Sequence, residues 1–169
     1  MNSADLFVRH FLAVFFVLAG IHFAVRSYAL RKRTGLIYIG YGQRYTRSWW
    51  HRHIFNIFRA AILCVCLARV VTDIDPWLGI IQPLYQPSIL IIGIGLMLFS
   101  SAIIEYVHSY MNQDWRTGIV EGETKQQLIV EGPFAISRNP LFLGVITGQI
   151  GFFLAIPSCF SLTCLVVGS

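Results

Sequence analysis

The sequence predicts an all-α membrane protein, a polytopic helical bundle of four to five transmembrane helices whose last two form a helical hairpin. Two observations predict this fold class. Hydrophobic residues make up 56% of the 169 positions and charged residues only 12%, about half the charged fraction of a soluble domain. The apolar residues also gather into runs near the ~20 residues that cross a ~30 Å hydrocarbon layer. Because a small core cannot bury so much apolar surface, we expect lipid to surround the chain.

Five spans are predicted within a single membrane domain that covers residues 1–169. They comprise residues 6–30, 54–71, 88–107, 140–156 and 158–169, the last of them incomplete. Pro157 ends the fourth span, and residues 158–169 would rise only about 18 Å as a helix. We therefore expect either a fragment of a longer protein or a re-entrant hairpin, and the fragment is favoured.

Basic residues predict the orientation of the chain in the membrane. The connection between the first two spans contains six basic residues and no acidic one: Arg31, Lys32, Arg33, Arg44, Arg47 and Arg52. The second connection, 72–87, contains Asp73 and Asp75 but no Lys or Arg. The first and third connections are thus expected on the cytoplasmic side, with the N-terminus outside. The net charge of +5 then indicates contact with anionic membrane lipids, and no nucleic-acid partner is expected.

Polar and small residues inside the spans have two interpretations each. Arg59 and Arg69 are expected to snorkel toward the two membrane faces, with an internal polar path as the alternative. Glu105 and His108 lie three residues apart on one helix face, where solvent contact at a helix end competes with a functional role. Gly93 and Gly95 are expected to let helices approach closely rather than to bind a nucleotide.

The most informative stretch lies in the connection 108–139 and the start of the fourth span. Gly132-Pro133 marks a turn. Asn139 suits a helix N-cap and Pro140 the first helical position. A helix N-terminus offers amide groups and a positive dipole end to an anionic ligand, and Arg138 beside it can pair with a carboxylate. An ordinary capped helix start with an interfacial arginine is the alternative.

Three motifs follow one another in this part of the chain: Trp115-Arg116-Thr117-Gly118, Leu128-Ile129-Val130-Glu131-Gly132-Pro133-Phe134 and Arg138-Asn139-Pro140-Leu141-Phe142-Leu143-Gly144. Their order resembles the isoprenylcysteine carboxyl methyltransferase family, which also includes phospholipid methyltransferases. The resemblance covers residues 115–157. It implies methyl transfer from S-adenosylmethionine, bound at the cytoplasmic membrane face, to a lipophilic small-molecule or lipidated acceptor. That acceptor is a carboxylate in the prenylcysteine enzymes and a headgroup amine in the phospholipid enzymes.

The resemblance implies cofactor contacts from nine residues: Gln126, Gln127, Leu128, Ile129, Phe134, Asn139, Pro140, Leu141 and Phe142. Arg138 joins this predicted site through its place beside the helix start. The helix N-terminus is then expected to hold the methionyl carboxylate, while aromatic rings pack beside the adenine or the sulfonium. Catalysis rests on alignment of donor and acceptor, so neither a metal nor a covalent nucleophile is expected, and no catalytic residue is assigned.

The chain departs from the family pattern at several positions. Asn139 stands where the family often has His, and Phe134 and Phe142 stand where Tyr is frequent. A pair of glutamates and an arginine that follow the family's last span would lie beyond Ser169, so part of the site is expected to be missing. Two other functions stay open, namely an NADPH-dependent membrane reductase of the sterol type and a non-catalytic membrane protein. The oligomeric state is not predicted.

Overall fold

The computed structural model describes residues 3–34, 44–111 and 131–168. These residues form an all-α membrane helical bundle, as the composition predicts. In chain order its elements are α1 (Ser3–Thr34), α2 (Arg47–Val71), α3 (Asp75–Leu78), a 3-10 turn (Gln82–Leu84), α4 (Pro87–Met111), α5 (Pro133–Ile136), α6 (Pro140–Ala155) and α7 (Cys159–Gly168).

Among the described residues, three helices, α1, α2 and α4, are long and apolar enough to cross a membrane. The fourth and fifth predicted spans are shorter. The 16 residues of α6 rise about 24 Å and the 10 residues of α7 about 15 Å. These two helices form the predicted hairpin, in which the Gln149 amide donates to the Gly168 carbonyl at 2.9 Å. The far end of α7 therefore lies beside the middle of α6.

The long helices extend beyond their apolar runs. The predicted span 6–30 lies inside α1, which continues through the basic residues Arg31, Lys32 and Arg33. The predicted span 54–71 begins seven residues after the start of α2 at Arg47. Arg and Lys are good helix formers in water, so the helix persists where the hydrocarbon ends. The Thr46 hydroxyl caps α2 by accepting from the Trp49 amide at 3.4 Å.

Glycines bring α4 and α6 into backbone contact. A Cβ atom placed on Gly93 would lie 2.4 Å from the Ala155 nitrogen, and one on Gly151 would lie 2.8 Å from the Gly93 oxygen. Farther along, Gly148 faces Ser100, whose hydroxyl donates to the Gly144 carbonyl at 2.7 Å. The prediction that Gly93 serves close helix packing is confirmed, whereas Gly95 borders open space.

The bundle has two ends, named here after a residue at each. The Asp5 end holds the start of α1, the end of α2 and the start of α4. There the connection between α2 and α4 pairs with the turn between α6 and α7. The Ile81 amide donates to Pro157 at 2.8 Å, and the Cys159 amide donates to Gly79 at 3.0 Å. The opposite end, the Asn139 end, holds the last turn of α4 and the first turn of α6.

Candidate functional site

The predicted turn at the Asn139 end is present and packs against α4. Gly132 adopts a φ of +61°, in the left-handed region that glycine enters without steric cost. A Cβ there would lie 2.6 Å from the Tyr110 ring. The turn leads directly into α5, where the Phe134 ring lies 6.5 Å from the Tyr110 ring between centroids. The turn and the aromatic residue after it are therefore held by one side chain of α4.

The start of α6 has the predicted capping. The Asn139 side chain accepts from the Phe142 amide at 3.1 Å, and Pro140 follows as the first helical residue. The Asn139 amide itself donates to the Ser137 hydroxyl at 3.2 Å. Since Asn139 occupies the Phe142 amide, the Leu141 amide is the first-turn donor that the helix leaves to a ligand.

The structure describes six of the ten predicted cofactor-binding residues. Arg138 and Asn139 are exposed and Phe134 is partly buried. Leu141 is partly buried, and Phe142 is 43% exposed. Pro140 is buried, so it contributes to the start of the helix but does not present its side chain to a ligand. The remaining four, which precede the turn, lie outside the described residues: Gln126, Gln127, Leu128 and Ile129.

These groups match the chemistry of S-adenosylmethionine at two points. An exposed guanidinium beside a helix N-terminus suits a carboxylate, because charge-assisted bonds add to the dipole. The exposed ring of Phe142 and the partly buried ring of Phe134 near the same helix start suit an adenine ring or a sulfonium. The residues present thus fit the amino-acid part and one aromatic wall of such a cofactor.

A largely buried ionic cluster lies at the Asp5 end and was not predicted from the sequence. We call it the Asp–Arg cluster; its members are Asp5, Arg9, Arg69, Asp73, Asp75 and Tyr85. Arg9 lies 3.1 Å from Asp5, 2.7 Å from Asp75 and 3.2 Å from Asp73. Arg69 contacts Asp75 at 2.6 Å and donates to the Tyr85 hydroxyl at 3.0 Å. The cluster joins α1, α2, α3 and the residues before α4.

The expectation that Arg69 snorkels to the membrane face is wrong. Its side chain is 1% exposed, because carboxylates of α1 and α3 close over it. Arg59, another arginine of α2, is exposed, and its guanidinium lies 5.7 Å from the centre of the Phe23 ring. The charge of Arg69 is therefore balanced by ion pairs inside the protein, whereas the guanidinium of Arg59 contacts an aromatic ring.

Two cluster members in the connection between α2 and α4 have shifted pKa values. Burial opposes ionisation of Asp75, but the hydrogen bond and charge of Arg69 outweigh it, with help from Arg9, and the pKa of Asp75 falls below its ordinary value. Burial, together with a hydrogen bond donated to Asp5, raises the pKa of Tyr85 against the opposing charge of Arg69. An ionised Asp75 and a neutral Tyr85 are thus built into the fold.

A second polar group lies on α1 and α4 toward the Asn139 end. The His22 ring contacts Glu105 at 2.9 Å, and Arg26 lies 3.8 Å from the other Glu105 oxygen. Arg26 also donates to the His108 carbonyl at 2.7 Å. The sequence indicated the Glu105–His108 face, but the partners on α1 could not be read from it.

Comparison with known proteins adds no family to this geometry. No family model, no curated protein and no solved structure matches the chain. Its motifs and the geometry of the Asn139 end therefore carry the functional interpretation.

Proposed function

We propose that this chain is a membrane methyltransferase that moves a methyl group from S-adenosylmethionine to a lipophilic acceptor. The observation that carries the proposal is the capped start of α6, with exposed Arg138 beside it, following a turn held on Tyr110. The turn belongs to the second, and the capped helix start with Arg138 to the third, of the three motifs that resemble the methyltransferase family. The basic connections on this side support a cytoplasmic location for the Asn139 end.

Each described residue of the site has a separate task in this proposal. The first turn of α6 offers the Leu141 amide and its dipole to the methionyl carboxylate. Arg138 offers a guanidinium to the same carboxylate. Asn139 is a positioning residue, because its side chain is already used to cap the helix.

The aromatic residues form the apolar side of the site. Phe134 is fixed against Tyr110, and Phe142 presents an exposed ring in the first turn of α6. Leu143, which is 50% exposed, extends this surface toward lipid. A lipophilic acceptor can therefore reach the helix start from within the bilayer while its polar end stays at the membrane boundary.

The bound cofactor supplies a methyl group that its sulfonium has already activated. The protein then has to hold donor and acceptor in line and keep water away. A prenylcysteine-like carboxylate and a lipid amine are the two acceptor classes that the family resemblance implies.

Isothermal titration of the purified full chain with S-adenosylmethionine and with NADPH tests the proposal. We expect binding of S-adenosylmethionine and none of NADPH. Arg138→Ala should weaken that binding about tenfold, since a charge-assisted hydrogen bond is lost. Arg47→Ala, which removes another exposed arginine at the same end of the bundle, is the matched control and should bind normally.

The other outcomes separate the alternatives. Binding of NADPH alone would replace the methyltransferase with a membrane reductase. Binding of neither ligand would favour a non-catalytic membrane protein. Equal affinity in the Arg138→Ala and Arg47→Ala variants would make Arg138 only an interfacial anchor.

A further inference from the structure

An apolar groove of about 380 Å³ runs along the seam between α1 and α4. Its walls include Phe11, Phe15 and Leu18 of α1 and Leu98 of α4. The Phe11 and Phe15 rings stack with centroids 5.6 Å apart, which gives the α1 wall a continuous aromatic surface. The groove is open toward the side of the bundle, where lipid surrounds a membrane protein.

The same seam leads to the His22–Glu105 pair. His22 lies four residues after Leu18 on α1, and Glu105 lies seven residues after Leu98 on α4. These spacings keep the side chains on one helix face. The pair therefore lies about 6 to 10 Å beyond the groove, toward the Asn139 end.

The pair is exposed among apolar side chains. His22 is 56% and Glu105 44% exposed. The neighbouring Leu18 and Tyr106 are each 59% exposed. A carboxylate on such a surface is costly in lipid unless a polar partner reaches it. The His22 ring contacts one of the Glu105 oxygens at 2.9 Å and Arg26 lies 3.8 Å from the other, so the 44% exposed carboxylate can still accept a further cation from the lipid side.

We propose that the seam binds one zwitterionic phospholipid, with an acyl chain in the groove and the ammonium of its headgroup on Glu105. The dimensions agree. One leaflet contributes about 15 Å of hydrocarbon, and the helix rises about 16 Å between His22 and Phe11. A chain that starts at the polar pair thus ends among the stacked phenylalanines.

Charge selects the headgroup. Glu105 offers an exposed carboxylate to an ammonium group, and Arg26 beside it offers a guanidinium to the adjoining phosphate. An anionic phospholipid could place its phosphate on Arg26 in the same way, but it has no ammonium group to place on Glu105. The seam therefore favours an ammonium-bearing headgroup over an anionic one with identical acyl chains.

Native mass spectrometry of the full chain with equimolar phosphatidylethanolamine and phosphatidylglycerol of matched acyl chains tests this site. We expect the ethanolamine lipid to be retained up to about fivefold more, the contribution of one exposed charge pair. Glu105→Gln should abolish the preference. Equal retention of the two lipids by the unaltered protein, or a preference that survives Glu105→Gln, would overturn the proposal.

The groove is tested by a second pair of variants. Leu18→Trp fills the acyl position and should lower retention of both lipids. Ile57→Trp, at a 67% exposed position of α2, is the matched control and should leave retention unchanged. Equal retention in both variants would contradict the assigned chain position. No S-adenosylmethionine is added, so the result is independent of the proposed methyl transfer.

Discussion

Arg69 and Asp75 form a two-point ion pair between the last turn of α2 and the first of α3. The Nε–Oδ1 distance is 2.6 Å and the Nη2–Oδ2 distance is 3.0 Å. Only six residues separate them, yet the pair is enclosed by Asp5 and Arg9 of α1. The connection between α2 and α4 is therefore fixed to the start of the chain by charge.

Removal of the Asp75 carboxylate should strongly destabilise the protein. Asp75→Ala leaves the buried Arg69 guanidinium without its principal partner, and we expect a loss of about 3 kcal/mol in the free energy of unfolding. Asp73→Ala is the control, because the Asp73 side chain is 72% exposed and should contribute at most about 1 kcal/mol. Unfolding in mixed micelles measures both. Similar losses in the free energy of unfolding of the two variants would contradict the claim that the buried ion pair contributes more stability than the exposed one.

Acid should remove the stabilisation that Asp75 provides. Its pKa is lower in the folded protein than in the unfolded chain, so the folded state favours the ionised carboxylate. The contribution is fully present above the unfolded pKa of about 3.9 and is lost as the pH falls through the folded value. The difference in melting temperature between the unaltered protein and Asp75→Asn should be constant near neutrality and shrink below about pH 4. A constant difference down to pH 2 would argue against an ion pair.

Two glycines of α4 should respond in opposite ways to alanine. Gly93→Ala places a methyl group 2.4 Å from the Ala155 backbone, and overpacking of this kind costs about 1 to 3 kcal/mol. Gly95→Ala enters open space and should gain about 0.5 to 1 kcal/mol from reduced backbone freedom in the unfolded chain. Melting temperatures in one detergent compare them. A stable Gly93→Ala variant would mean that α4 and α6 are farther apart than described.

Two substitutions of Asn139 distinguish its role in helix capping from the proposed binding of a ligand at the same helix start. Asn139→Ala removes the cap and should cost about 1 kcal/mol of stability. Asn139→Asp retains an oxygen acceptor for the Phe142 amide and should keep the melting temperature, but its negative charge should repel the methionyl carboxylate. We expect S-adenosylmethionine affinity to fall about tenfold in Asn139→Asp, measured by isothermal titration. Unchanged affinity would mean that the methionyl carboxylate does not bind at the start of α6.

Hydropathy predicted the long helices because the residues of a helix that crosses the hydrocarbon layer must be mostly apolar. It did not predict their ends. Lys32 and Arg47 lie outside the apolar runs, and hydropathy records only that they are polar, although both continue a helix. The start of α6 could be predicted because the Asn139-Pro140 pair is a local sequence signal for a helix N-terminus. The helix begins there in the structure.

The Asp–Arg cluster was not predictable because its partners are distant in sequence. Arg9 meets Asp73 across 64 residues, and a single sequence carries no record of such contacts. Arg69 near a helix end is locally consistent with snorkelling, and only the position of α1 decides otherwise. The same holds for His22 and Glu105. Of the proposed cofactor site, the turn and the capped helix could be predicted, while the way Tyr110 holds the turn could not.

The pairing of Ile81 with Pro157 sets a reference height for the whole α6–α7 hairpin. A helix is stiff along its axis, so fixing one end of α6 at one membrane face fixes the depth of Asn139 at the other. A change in the connection between α2 and α4 that breaks this pairing would leave the depth of that helix start to the packing of α6 on α4 alone. The hydrogen bonds at the Asp5 end thus help to determine how deep in the membrane the Asn139 end lies.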